Sequence, residues 1–427
     1  MIWVYYTIVF LNFSFLIFKK KKITFVDLYF VSSIFYYINA FIGNIYSLHS
    51  LRIPIPIEIS NQTYLLLCLN QLIILLFYLI PKKRVTEVNV KNDTNYMSII
   101  WALKVITLLL FLCAIYFTIS MNLFTRIEFN KSELLENSSF IETYFKYGSF
   151  YFFVAGLLVW DKITFFWKIL LFYPLLVTFL MGHRSFLVLS LIAAFIIYIN
   201  EILYDGNLLM FLRKNRKMIF LVLLLIIFVY VIKGVSGAIF TGDFDLVKER
   251  LTTPSYYLDS FRMGESNVIL NHVNNVVTYG LNINGNTYSV ILTLMVPFVG
   301  RYFQVNSFNS FLQAAYYPDY RLGSLGNSFL AEAYSQGSFL LVAIIVILLI
   351  SFSNFLFNLS ISKRTSLFTK TWAMTVGIEC AFYIHRNSLY TFFVRLRVYI
   401  YLTVLFFIVY LIVTILKNTI FSKEIRR

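Results

Sequence analysis

Residues 1–22 read MIWVYYTIVFLNFSFLIFKKKK: an apolar run that ends on four consecutive lysines. The same pairing of apolar stretch and cationic stop recurs along the chain. Further clusters fall at Lys82-Lys83-Arg84, Lys162 with Lys168, Arg213-Lys214-Arg216-Lys217, Lys363-Arg364, and the tail Lys423, Arg426 and Arg427. Two apolar stretches separate nearly every consecutive pair of clusters. This is the positive-inside pattern of a chain that crosses a membrane many times. It fixes sidedness, because every gap without a cluster then faces outward.

Composition agrees. The chain is 59% hydrophobic and 13% charged, about half the charge of a soluble domain. The net charge of +16 needs no nucleic acid as partner, because cytoplasmic loops facing anionic headgroups account for most of it. The cysteines Cys68, Cys113 and Cys380 all lie in apolar stretches and show neither a disulfide framework nor zinc spacing. The first apolar run lacks a small-residue cleavage site and reads as a retained helix.

A spanning helix needs about 20 mostly apolar residues. On that template the sequence predicts an all-α polytopic membrane protein with about eleven spans: 2–18, 24–46, 63–80, 97–120, 144–160, 166–181, 186–204, 218–235, 338–359, 367–384 and 398–416. With the clusters inside, the N-terminus is outside and the C-terminus cytoplasmic. Three regions result: spans one to eight (1–235), one large outer loop (236–337), and the last three spans with a basic tail (338–427). Within the loop, the polar stretch 245–278 suggests one or two surface helices. The segment TYSVILTLMVPFVG at 287–300 is too short to span comfortably and reads as re-entrant or interfacial.

All four histidines (His49, His183, His272 and His385) fall in outer gaps without a metal-binding spacing, so neither a metal nor another cofactor is expected. Gly182-His183-Arg184-Ser185 is a tight outer turn that places Arg184 at the start of a helix. Free N–H groups and the positive end of the helix dipole make that an anion site, and an anchoring role for a snorkelling arginine is the plainer alternative. Glu379, Tyr383 and Arg386 share one helix face by spacing, with His385 beside them and Arg395 and Arg397 following. An ionisable residue such as Glu379 inside a span is costly and faces a partner, which also describes a structural ion pair. Glu332 is the only carboxylate between Asp319 and Glu379, and it follows a capping Asn327 or Ser328. It is read either as a base or as a helix-dipole partner. Arg262, Arg301 and Arg321 add positive charge that the positive-inside rule does not supply.

The multispanning frame, the late outer loop, the turn GHRS at 182–185 and the run GNSFLAEAYSQG at 326–337 resemble the O-antigen polymerases of the Wzy family, within the broader group of lipid-linked glycan polymerases and ligases. The frame covers the whole chain, and the motifs only a small part of it. The resemblance implies a bacterial inner-membrane glycosyltransferase that joins undecaprenyl-diphosphate-linked oligosaccharide units without a metal. A Wzz-type chain-length regulator and a flippase are its implied partners, alongside membrane lipid. On this expectation Arg184, Glu332 and Arg386 are catalytic. The substrate-binding set is His183, Arg262, His272, Arg301, Arg321, Asn327, Glu379, Tyr383 and His385. An O-antigen ligase shares the same frame and arginines. A lipid-linked oligosaccharide flippase is a reading of another class, but it leaves the long outer loop unexplained. It also requires more charge along the spans than Lys104 and Glu379 provide.

Overall fold

The computed structural model describes residues 1–19, 22–47, 55–80, 96–121, 123, 140–202, 213–217, 242–253, 264–281, 283, 308–316, 326–362 and 364–424, with a few isolated positions besides. The expected span 218–235 (apart from such positions), the segment 287–300, and His49, Arg262, Arg301 and Arg321 lie outside the described residues.

The described chain is predominantly helical. In order it forms α1 (Ile2–Lys19), α2 (Phe25–Tyr36), α3 (Asn39–Ile42), β1 (Asn44–Tyr46), β2 (Pro56–Glu58), α4 (Asn61–Leu79), α5 (Tyr96–Ser120), α6 (Phe140–Leu157), α7 (Phe165–Leu180) and α8 (Arg184–Ile202). Then come α9 (Phe244–Thr252), α10 (Glu265–Asn275), α11 (Phe308–Tyr316), α12 (Phe329–Ile361), α13 (Leu367–Ile378) and α14 (Leu389–Glu424). Four stretches are long and apolar enough to cross a membrane: Asn61–Leu79, Met97–Ser120, Phe329–Ile361 and Leu389–Thr419. Shorter apolar helices accompany them, at Ile2–Phe18, Phe25–Tyr36, Phe165–Leu180 and Arg184–Asn200.

The helices expose large apolar side chains outward, among them Trp3, Phe165, Leu340 and Ile415, while polar groups turn inward. Asn12 Nδ2 donates to the Gln71 carbonyl at 2.9 Å, Gln71 Nε2 donates to Ser33 Oγ at 2.8 Å, and Tyr29 Oη donates to Asn70 Oδ1 at 2.9 Å. In water this arrangement is inside out. In a bilayer it is expected, because interhelical hydrogen bonds and close packing replace the hydrophobic drive. Small residues permit that closeness: a Cβ on Gly377 would run into the Phe25 ring. The chain is a membrane-embedded helical protein.

Helix ends follow local chemistry. Thr24 and Asp27 close a reciprocal capping box at α2. Ser60 Oγ accepts the Thr63 N–H at α4, and Ser366 Oγ accepts the Thr369 N–H at α13.

Three expectations change. The stretch 24–46 is not one helix: α2 stops at Tyr36, and Asn44–Tyr46 instead pairs antiparallel with Pro56–Glu58. The polar stretch 245–278 is only partly a surface. α9 has no buried residue, but α10 is buried along most of its length. Its asparagines satisfy strand backbone: Tyr46 N–H donates to Asn267 Oδ1 at 2.7 Å, and Asn271 Nδ2 donates to the Tyr46 carbonyl at 2.9 Å. The last helix begins at Leu389 rather than 398, which brings Arg395 and Arg397 inside it.

Candidate functional site

The helix α13 does not end at Ile378. It continues through a π-helical turn, Glu379–Tyr383, and a 3₁₀ turn, Ile384–Arg386. The wider π turn is a local defect of the kind that re-aims side chains. Here it sets Glu379 against α14. Glu379 Oε2 accepts from Arg395 Nη1 at 2.7 Å, and Glu379 Oε1 accepts from Tyr399 Oη at 2.8 Å. Arg395 and Tyr399 are one turn apart, so a single face of α14 supplies both donors. The pair is deeply placed, with side-chain exposures of 12% and 2% for Arg395 and Glu379.

Tyr383 joins a second arginine to the first. The Arg395 guanidinium carbon lies 4.3 Å from the Tyr383 ring centroid, and that of Arg386 lies 5.4 Å from it. Aromatic faces attract such cations. Arg386 in turn donates from Nε to Glu265 at the start of α10, and its carbonyl accepts the Asn327 N–H at 2.8 Å. The expected Glu379–Tyr383–Arg386 cluster therefore exists, but its two charged ends have different partners.

The GHRS turn reaches this cluster through α6. Gly182 takes the left-handed conformation, φ +87°, that a tight turn between antiparallel helices requires. His183 Nε2 lies 3.1 Å from Glu142 Oε1 in the first turn of α6. One turn along, Lys146 feels both Glu142 and Arg395. Arg184 is exposed at the first residue of α8, and no acidic partner for it is seen among the described residues. Glu142, Lys146, Arg395 and Tyr399 were not candidate site residues on sequence. The sequence places Glu142 and Lys146 at or near the start of a span, and the pairing of Glu142 with the GHRS turn follows from how α6 packs on α8.

The remaining candidates sit deeper. Glu332 is fully buried, and its Oε2 accepts the Leu389 N–H at 2.5 Å. It thus caps the N-terminus of α14, the helix that carries Arg395, rather than its own helix. Ser328 precedes α12, but its hydroxyl meets Tyr37 Oη at 3.2 Å and makes no cap bond. Asn327 Oδ1 accepts the Ser328 N–H at 2.7 Å. His385 is enclosed by the rings of Tyr29, Tyr37 and Phe329, and its Nε2 lies 3.1 Å from the Tyr29 carbonyl. His272 is buried against the Gly326 backbone. Burial pushes both imidazoles down, to about 4 for His272 and about 3 for His385. Both rings are therefore neutral at ordinary pH and are built into the packing.

The result is a layer at one end of the bundle that gathers Lys146, Arg184, Arg386 and Arg395 with the carboxylates Glu142, Glu265, Glu332 and Glu379. Guanidinium and ammonium groups gathered at low dielectric are the groups that hold an anion. The fold and this layer define a class, a membrane-embedded helical protein with a layer of charged side chains at one end. No protein-family model, curated protein or solved structure matches the chain.

Proposed function

We propose that this protein is a bacterial inner-membrane glycosyltransferase that polymerises undecaprenyl-diphosphate-linked oligosaccharide units, as the resemblance to O-antigen polymerases suggests. The observation that supports this reading is the pair of guanidinium groups, Arg386 and Arg395, gathered on the Tyr383 ring, with Arg184 at the GHRS turn. Eleven spans with the N-terminus outside would put that layer on the outer face, where lipid-linked glycans are joined.

The proposed step is a displacement at the anomeric carbon. An acceptor hydroxyl attacks, the bond to the diphosphate oxygen breaks, and the diphosphate leaves with the electron pair. Negative charge grows on the leaving group, and preorganised guanidinium groups at Arg184, Arg386 and Arg395 would stabilise it as it forms. The acceptor proton passes to a carboxylate, for which Glu332 is the proposed base. Its contact with the Leu389 N–H gives it a second role, holding the start of α14 and with it Arg395.

The test is the surface glycan of a strain lacking the gene. A single repeat unit on the lipid core marks a lost polymerase. Long glycan retained on the lipid carrier marks a lost ligase and sinks the polymerase reading.

A further inference from the structure

At the bundle end opposite the charged layer, α6 finishes at Leu157 and the chain turns through Trp160–Lys162 before α7 begins. Beside this turn, α8 leaves a cavity of about 500 Å³ lined by Leu157, Trp160, Lys162, Ala194, Phe195 and Tyr198, with Asp161 also at its mouth. The volume is that of an ordinary ligand site. Two features show what fits it. The walls continue onto the outward face of the bundle, where Phe195 and Tyr198 are each 46% exposed. Lysines stand at its edge: Lys162 lines the cavity, and Lys168 Nζ lies 4.7 Å from the ring centroid of Trp160, which also lines it.

The same end carries an aromatic belt. Lys104 Nζ lies 4.8 Å from the Trp101 centroid and 5.6 Å from that of Trp167. With Trp160, three of the five tryptophans in the chain gather at this level, as side chains do at a headgroup boundary. The ligand must then have an apolar body lying along α8 and an anionic head at the lysines. A zwitterionic headgroup gains less there, because the lysines that attract its phosphate repel its cation.

We propose that the cavity between the 160–162 turn and α8 binds one anionic phospholipid, its headgroup phosphate held by Lys162 and Lys168 and its acyl chains lying against Ala194, Phe195 and Tyr198. This site is separate from the glycan chemistry and rests only on the chain being membrane-embedded.

The test uses the full-length protein in mild detergent, with bound lipid counted by native mass spectrometry and the thermal midpoint followed in parallel. The wild type retains phosphatidylglycerol over phosphatidylcholine, and phosphatidylglycerol raises the midpoint. Lys162→Gln with Lys168→Gln weakens phosphatidylglycerol retention about 30-fold, from the usual contribution of each lysine near an anionic surface. Ala194→Trp keeps both lysines, fills the cavity and also loses the lipid. Equal retention of the two lipids by the wild type, unchanged retention in either variant, or reproduction of the full midpoint shift by inorganic phosphate alone overturns the proposal.

Discussion

Arg395 donates to Glu379 at 2.7 Å across the α13–α14 boundary, and its guanidinium simultaneously covers the Tyr383 ring. The contact ties the last long helix to a π turn that α2 holds from its other side, where Ser32 Oγ donates to the Phe382 carbonyl. It also holds a positive charge at the deep edge of the charged layer.

Removing one member strands the other. Loss of a single partner from a buried pair typically costs about 3–5 kcal/mol. Glu379→Gln and Arg395→Gln should each lower the thermal midpoint of the purified protein. The double variant should recover much of that loss yet stay inactive if Arg395 serves the anion. A double variant no more stable than the singles would show that the pair is not coupled.

Arg184 behaves differently because it is exposed and has no acidic partner among the described residues. Arg184→Ala is expected to insert and accumulate normally, while glycan chain formation falls by roughly a hundred- to a thousandfold. Arg184→Lys should restore only part of it, lacking the planar fork. Normal long-chain glycan from the alanine variant would retire the anion role.

Much of the fold could be read in the chain, and the reason is physical. Apolar runs such as 97–120 must be helical in lipid, since no other conformation satisfies their backbone, and α5 spans Tyr96–Ser120. Interruptions were harder to read. Hydropathy marks 329–337 as loop, yet it is helical up to a break at Gly337 and Ser338, because buried packing of Phe329, Leu330 and Ala333 outweighs its polar residues. Arg395 looked like a loop residue because pairing with Glu379 depends on another helix. The GHRS turn and the Glu379–Arg386 stretch can be read in the sequence as neighbours of helix termini. Their bridge through Glu142 and Lys146 cannot, since it follows from how α6 packs on α8.

Glu332 separates two roles by substitution. As a base, Glu332→Gln should abolish polymer formation with little loss of protein, because the amide still accepts the Leu389 N–H. As a cap alone, the same change keeps the bond to the Leu389 N–H and should leave the rate near wild type. Glycan length and accumulated protein, measured on the same cells, distinguish the outcomes.

His272 predicts a pH dependence. Its buried ring has a folded-state pKa lowered from 6.5 to about 4, so between those values the unfolded chain binds the proton and the folded one does not. This contribution to stability is whole above about pH 6.5 and falls as pH drops towards 4, by up to about 1.4 kcal/mol per unit. His272→Asn should flatten the slope of thermal midpoint against pH over that window. An unchanged slope would assign the dependence to other groups.

Sidedness is open to reporter fusions. Fusions after residues 50, 140 and 300 should read outside, and fusions after 90, 210 and 365 inside, from the alternation of Lys/Arg clusters. An inside signal at 140 would put the Glu142–His183 contact on the wrong face for joining lipid-linked glycans.

The most direct measurement is reconstitution of the purified protein in vesicles with undecaprenyl-diphosphate-linked repeat units, in the presence and absence of a chelator. The account predicts that one undecaprenyl diphosphate is released for every unit joined, equally under both conditions, and that Arg184→Ala and Arg395→Gln suppress both products together. Glycan that does not lengthen, or that lengthens without release of the lipid diphosphate, would contradict it.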